Sequence, residues 1–221
     1  MRRVIAIDGP AASGKSSTAA AVARRIGAHH LDSGALYRGL TRVALDLGRR
    51  NAAAIATEAL RRNLDLRHDG REIVPFLDGR PAESVIRSAE VTAAVSEVAA
   101  LPALRAWVDD RLRAAASDEW VLVLDGRDIG TVVFPEAVLK IFLTATPEAR
   151  ARRRLAQRGD TIADGLVAAE AARLAARDAL DAGRDVAPLR QAPDAILVDT
   201  TDLGFDDQVA RIVALARKAL S

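Results

Sequence analysis

Four nearly uninterrupted apolar runs punctuate the chain: Val4–Ile7, Val121–Leu124, Leu139–Leu143 and Ala195–Val198. None shows the strict apolar–polar alternation of a strand with one wet face. They read as strands covered on both faces, the pattern of a buried parallel sheet. His29–Asp32 is a shorter strand candidate. Between these runs the apolar spacing changes to three or four residues. Val22 and Ile26 mark an Ala-rich helix over Ser17–Ile26, and Leu36, Leu40, Val43 and Leu47 mark a second that starts at Ser33. Ser88–Ala100 and Pro102–Ala116, the latter with proline at a first-turn position, predict two more. Helices over Glu148–Arg158 and from about Asp164 follow. Phe205, Val209, Ile212, Val213 and Ala216 form the core stripe of a last one. Strands alternating with helices predict an α/β fold: a doubly wound, five-stranded parallel sheet with helices on both faces.

One stretch departs from that texture. Between Asn63 and Ser88, Leu64–Arg67 and Glu72–Leu77 flank His68-Asp69-Gly70-Arg71, and Asp78-Gly79 supplies a second turn. Asp-Gly turns between extended segments predict a small antiparallel β insert. There is no long linker, repeat or low-complexity segment, so residues 1–221 are expected to form one domain.

The turn after the first strand carries the chemistry. Gly9-Pro10-Ala11-Ala12-Ser13-Gly14-Lys15-Ser16 fits G-x-x-x-x-G-K-[ST], with a strand before it and a helix after it. Such a turn aims backbone N–H groups and a helix dipole at one spot, which suits a polyphosphate. Gly9 through Ser17 is therefore the expected ATP-binding segment. Lys15, expected to be a surface-loop cation, would meet the β- and γ-phosphates, and the Ser16 hydroxyl would be a Mg²⁺ ligand. The alternative is a Gly/Ser-rich turn with a solvated lysine, which would not need the flanking strand and helix. Asp125, at the end of an aliphatic run, matches the Walker B position, where a carboxylate helps hold Mg²⁺; many strands also end in Asp for turn reasons.

Two further groups of residues allow two readings each. Ser33, Tyr37 and Arg38 at a helix start form a second anion site, or an N-cap with a core tyrosine. Arg150, Arg153, Arg154 and Arg158 recur on one helix face. They form a solvated basic face, or they join the next arginine-bearing helix in a mobile lid over phosphates.

Composition narrows the class. Half of the residues are hydrophobic but only 3% are aromatic, so the core must be built from Ala, Leu, Val and Ile. A net charge of +2 with so few aromatics is a poor footprint for a nucleic-acid partner. There is no cysteine, which excludes disulfides and thiolate chemistry and agrees with a cytoplasmic protein. Four apolar residues before Asp8 are too few for a signal peptide or membrane span, so no membrane partner is expected. No D-x-x-G occurs, and none of the lysines at 15, 140 and 218 lies in N-K-x-D, which argues against a GTPase switch. A small-molecule kinase remains, with a non-catalytic ATP-binding module as the alternative.

The motifs together resemble bacterial cytidylate kinases. The resemblance rests on the phosphate loop, Asp32-Ser33-Gly34-Ala35-Leu36-Tyr37-Arg38, Asp125-Gly126-Arg127-Asp128-Ile129-Gly130-Thr131-Val132-Val133-Phe134-Pro135 and Arg184-Asp185-Val186-Ala187-Pro188-Leu189. It implies transfer of the ATP γ-phosphoryl to CMP or dCMP with Mg²⁺, or to another small acceptor if only the loop is shared. It implies a core over residues 1–40, 117–148 and 186–221, a monophosphate-binding part over about 41–116, and a lid over about 149–185. Ser33, Tyr37, Arg38, Ser96, Arg105, Arg127, Asp128, Arg177, Asp181 and Arg184 would bind the acceptor. Arg38 and Arg127 would hold its phosphate, while Arg177 and Asp181 would reach its sugar. Lys15, Arg127, Arg153, Arg154 and Arg158 would act on the transferred group. A monomer is the expected state.

Overall fold

The computed structural model describes residues 3–221. Five strands are parallel, as the apolar runs predict: β1 (Arg3–Asp8), β2 (His29–Asp32), β6 (Val121–Gly126), β7 (Leu139–Thr144) and β8 (Ile196–Asp199), in the order β2-β6-β1-β7-β8. The insert contributes β3 (Asp65–Asp69), β4 (Glu72–Leu77) and β5 (Arg80–Pro81). It does not stand apart from the sheet. Antiparallel pairings join β4 to β3 and β5, but β4 also pairs parallel with β2 at His30↔Glu72 and Leu31↔Ile73, giving one eight-stranded sheet. The hairpin's turns are local in sequence, whereas the β2–β4 register is not, so only the former was legible along the chain.

Alternation in β1 divides the core in two. Val4 and Ala6 face α2 (Ser33–Leu47), α3 (Ala52–Arg61), α5 (Ala89–Ala99) and α6 (Pro102–Ala115); a short α4 (Glu83–Ile86) lies between α3 and α5. Ile5 and Ile7 face α1 (Lys15–Ile26) and α9 (Phe205–Leu220). The Ala-rich stretch after Asn51 folds as α3 because Ile55 and Ala59 bury one stripe and the Asn51 side chain caps its start through Ala54 N (2.9 Å). The remaining helices, α7 (Pro147–Arg158) and α8 (Asp164–Ala182), pack on each other through Ala151, Leu155, Val167, Ala171 and Leu174, with Ala11 of the phosphate loop in the same cluster. Among the described residues no single helix is long and apolar enough to cross a membrane.

Three expectations need correction. Phe205 does not join the core stripe: at the start of α9 it is 49% exposed. Gln208 is buried in that stripe instead, because its amide donates to Thr18 Oγ1 (2.6 Å). The first helix begins at Lys15, two residues earlier than its apolar spacing shows, so Lys15 to Ser17 form its first turn. Arg150 is not on a solvated face; it is buried against the phosphate loop.

Candidate active site

The parallel strands end at one rim, and the turns that leave them form a cleft of about 790 Å³. It opens outside the carboxyl ends of β1, β2 and β6, beside the point where the chain crosses from one side of β1 to the other.

The phosphate loop forms one wall. Gly9 is compulsory there: at φ +152° a Cβ would lie 2.0 Å from the Leu143 carbonyl oxygen. Gly14 turns at φ +89° and starts α1 with no side-chain cap, which leaves the first-turn amides to a ligand. Lys15 is not the surface-loop cation that was expected. Its ammonium is tucked into the loop, donating to the Pro10 carbonyl (2.7 Å) and Ser13 Oγ (3.4 Å), with only 6% of the residue exposed. Burial, and then the nearby Arg127 charge, hold its pKa well below the ordinary lysine range, although Asp125 and Asp8 oppose this. An arriving phosphate would restore the charge balance around it.

Ser16 and Asp125 meet on the floor, where the hydroxyl donates to Asp125 Oδ2 at 2.5 Å. Asp125 Oδ1 lies 3.0 Å from His30 Nε2, and His30 Nδ1 lies 2.6 Å from Glu72 of the insert. Although burial disfavours its charge, the two flanking carboxylates raise the imidazole pKa to about 9. Among the described residues no cluster of three or more His, Cys, Asp or Glu side chains could hold a metal. Mg²⁺ does not need one, since it takes one or two protein oxygens and completes its shell with phosphates and water. The Ser16–Asp125 pair fits that requirement. Asp8 does not line the cleft but supports its floor. It accepts from the backbone N–H groups of Ile129 (2.9 Å) and Gly130 (2.7 Å), and burial raises its pKa to about 6. These bonds dock the Arg127-Asp128 turn, which runs into a π-helical turn over Ile129–Val133, against β1.

The opposite wall assembles residues from distant segments. Asp32 rather than Ser33 caps α2, accepting from Gly34 N at 2.8 Å, and Ser33 and Tyr37 are both buried on the cleft side. Arg105 and Asp128 form a buried ion pair, and Arg105 also donates to the Ala99 carbonyl (3.1 Å) and lies 5.2 Å from the Tyr37 ring centre. Asp181 collects three partners: Arg127 Nε (3.0 Å), Ser96 Oγ (3.3 Å) and Arg184. Arg38 donates to Thr92 Oγ1 (3.2 Å). Nine arginines and Lys15 line the cleft against four aspartates, so the site as a whole seeks anions. The crowding is legible in Arg177, whose pKa falls to about 10 through burial and then the neighbouring Arg127 charge. The Nε atoms of Arg105, Arg177 and Arg184 are buried with no partner in the protein, which leaves part of each guanidinium's donor capacity unused.

Of the residues singled out from sequence, the cleft walls bring together all but four, one of them Arg150, which is buried against the phosphate loop. Gly9 and Pro10 lie behind the loop as its structural entry. Arg158 faces away, paired with Asp160 (2.8 Å) and Glu170 (3.2 Å) on the outer side of α7 and α8. Arg153 is held by Thr200 Oγ1 (2.9 Å) and the Thr200 carbonyl, and Arg154 reaches the cleft beside it. Sequence reasoning missed His30, Glu72, Arg87, Asp178, Phe205 and Gln208 as site neighbours. None lies in a phosphate-loop pattern; only Asp178, in Arg177-Asp178-Ala179-Leu180-Asp181, adjoins residues already singled out.

A phosphate loop with a serine–aspartate pair on its floor, facing an arginine-lined second site, defines a P-loop phosphotransferase for a small anionic acceptor. The chain belongs to the cytidylate kinase family, whose profile matches residues 5–218. It is 45% identical over 207 residues to a cytidylate kinase of Mycobacterium avium, covering 90% of this chain and 89% of that protein. It is 46% identical over 220 residues to a cytidylate kinase of Dichelobacter nodosus, covering 97% and 96%. Among solved structures, an uncharacterized protein from Eubacterium ventriosum aligns over 99% of both chains with a TM-score of 0.50 and 11% identity, a likeness of fold alone.

Proposed function

We propose that this protein transfers the γ-phosphoryl group of ATP to the phosphate of CMP or dCMP, giving ADP and CDP or dCDP. The carrying observation is the buried Arg105–Asp128 pair in the same cleft as the phosphate loop. Two adjacent charged groups, one only a donor and one only an acceptor, suit a base edge that presents acceptors beside an amino donor. Cytosine has that edge: O2 and N3 accept, and the 4-amino group donates. Uracil reverses the last two, so it would set N3–H against Arg105 and O4 against the Asp128 carboxylate.

In this reading the first-turn amides of α1 and Lys15 hold the β- and γ-phosphates. Arg38 and Arg127 hold the acceptor phosphate in line, and Asp181 with Arg177 takes the sugar hydroxyls. Arg127 and Arg184, now paired with Asp181, turn to phosphate oxygens as the acceptor arrives. Ser16 and Asp125 would hold Mg²⁺, which when bound neutralises charge on the phosphate oxygens. The attacking oxygen is already anionic, so no strong general base is needed and catalysis rests on positioning and electrostatics. Arg153 and Arg154, on α7, act on the transferred group when the lid over about 149–185 closes and excludes water. Arg158 instead binds α7 to α8 through Glu170.

An ADP-release assay with CMP, dCMP, UMP, AMP or no acceptor tests the reading. CMP and dCMP should be used at least about 10²-fold better than UMP, since each mismatched buried group costs ~1–3 kcal/mol. Equal use of CMP and UMP would overturn it.

A further inference from the structure

The phosphate loop is held from outside by a pair of charged side chains with no place in the transfer described above. Ala11 N–H donates to Asp178 Oδ1 of α8 at 2.7 Å, and the Ala11 carbonyl accepts from Arg150 of α7 at 2.8 Å. Arg150 closes the ring by donating to Asp178 Oδ2 at 2.5 Å, and its Nε is fixed by the Ala145 carbonyl at 3.1 Å. Both polar groups of one residue in the loop are therefore gripped by two charged side chains that also grip each other. Charge-assisted bonds of this kind are stronger and more directional than neutral ones.

The next residue shows what the grip is for. Ala12 adopts φ +58°, a left-handed conformation that a residue with a Cβ rarely takes. Such a conformation persists only where the surroundings over-determine it. The Ala11 clamp, with Ala11 and Ala12 packed on the α7–α8 apolar cluster, supplies that constraint. The same α8 also carries the acceptor-side groups, since Arg177 precedes Asp178 and Asp181 lies one turn further on, both at the cleft.

We propose that Asp178, braced by Arg150, is a positioning residue that holds the phosphate loop in its nucleotide-binding shape and ties that loop to the helix carrying the acceptor contacts. The second half of this statement rests on the acceptor reading given above. The first half does not. Without Asp178, Ala11 N–H loses its partner, Arg150 keeps only carbonyls, and Ala12 relaxes toward negative φ. The amides beyond it then lose their common aim.

The test is a double-mutant cycle read by calorimetric titration with ATP in the presence of Mg²⁺ and no acceptor, beside melting temperatures. Asp178→Ala should weaken ATP binding about tenfold or more, the loss expected for one charge-assisted hydrogen bond. In an Ala12→Gly background, where the left-handed conformation is free of a Cβ, the same substitution should cost about threefold or less. A residue that only packs α8 would lower the melting temperature by the same amount in both backgrounds and leave ATP binding alone; that result overturns the proposal. An equal loss of ATP binding in both backgrounds overturns it too, because the strain would then play no part. Should Asp178→Ala fail to fold, Asp178→Asn carries the same cycle, keeping an acceptor for Ala11 N–H but losing the charge facing Arg150. A parent that binds ATP yet phosphorylates no cytidine nucleotide would refute the acceptor reading and leave this test intact, since it reads ATP binding alone.

Discussion

Asp128→Asn is the substitution that most directly separates base reading from general architecture. Both side chains of the Arg105–Asp128 pair are buried, at 2% and 5% exposed. Deleting one partner of such a pair commonly costs ~3–5 kcal/mol, because the other charge is stranded. The amide is isosteric and still offers an oxygen to Arg105, which also keeps its bond to the Ala99 carbonyl. Burial, moreover, pushes the Asp128 carboxyl pKa upward against the lowering effect of Arg105, so an amide avoids part of the desolvation that the carboxylate bears. The folding cost should therefore fall to ~1–2 kcal/mol. The catalytic cost is directional. CMP exchanges a charge-assisted contact at its 4-amino group for a neutral one, a difference of about 1–1.5 kcal/mol or roughly 5–10-fold in kcat/KM. UMP gains a donor facing O4 and should lose little. The assay is kcat/KM for CMP and UMP in parent and variant, with urea denaturation alongside. A CMP-to-UMP ratio that stays at the parental value would refute the reasoning, as would a uniform loss for both bases.

Lys15→Met should lower kcat by on the order of 10³-fold through lost phosphate stabilisation. Because the ammonium is buried and repelled by Arg127, the variant should melt no lower than the parent; turnover within tenfold of the parent would remove Lys15 from the mechanism. Arg154→Ala should lower kcat and kcat/KM together, as for a contact made on closure. Arg158→Ala should instead loosen α7 from α8 with little change in kcat, and the reverse ranking of the two would exchange their roles. Asp109 is buried near Asp128, and burial raises its pKa from 3.8 to about 6. That raised pKa favours the fold below about pH 4 and is lost as pH climbs through 6, leaving the ionised group costing on the order of 3 kcal/mol at pH 8. Asp109→Asn should therefore stabilise the protein at pH 8 and not at pH 4, and a gain independent of pH would rule out this cause.

What the chain could declare about itself was whatever depends on near neighbours. The aliphatic runs determined the parallel strands, because a strand covered on both faces needs apolar side chains at every position, although the run at β8 forms an edge strand that leaves Ile196 and Leu197 exposed. Gly9 to Ser16 determined the phosphate loop, since its turn, its uncapped helix start and its lysine lie within eight residues. Asp-Gly turns marked the insert for the same reason. Tertiary structure decided everything that couples distant segments. It brought Glu72 and His30 to Asp125 by pairing β4 with β2, a register that no local pattern encodes. It buried Lys15, which the motif alone would leave in water, and turned Arg158 away from the arginines beside it on α7. It placed Phe205 at the cleft rather than in the core, because a helical stripe does not say where the neighbouring layer ends. It also set Asp178 on Ala11 across 167 residues of chain. Hydrogen-bonding geometry between segments follows from how the helices pack on the sheet, and a linear sequence records that packing only as which residues are apolar, not as which polar atoms will meet.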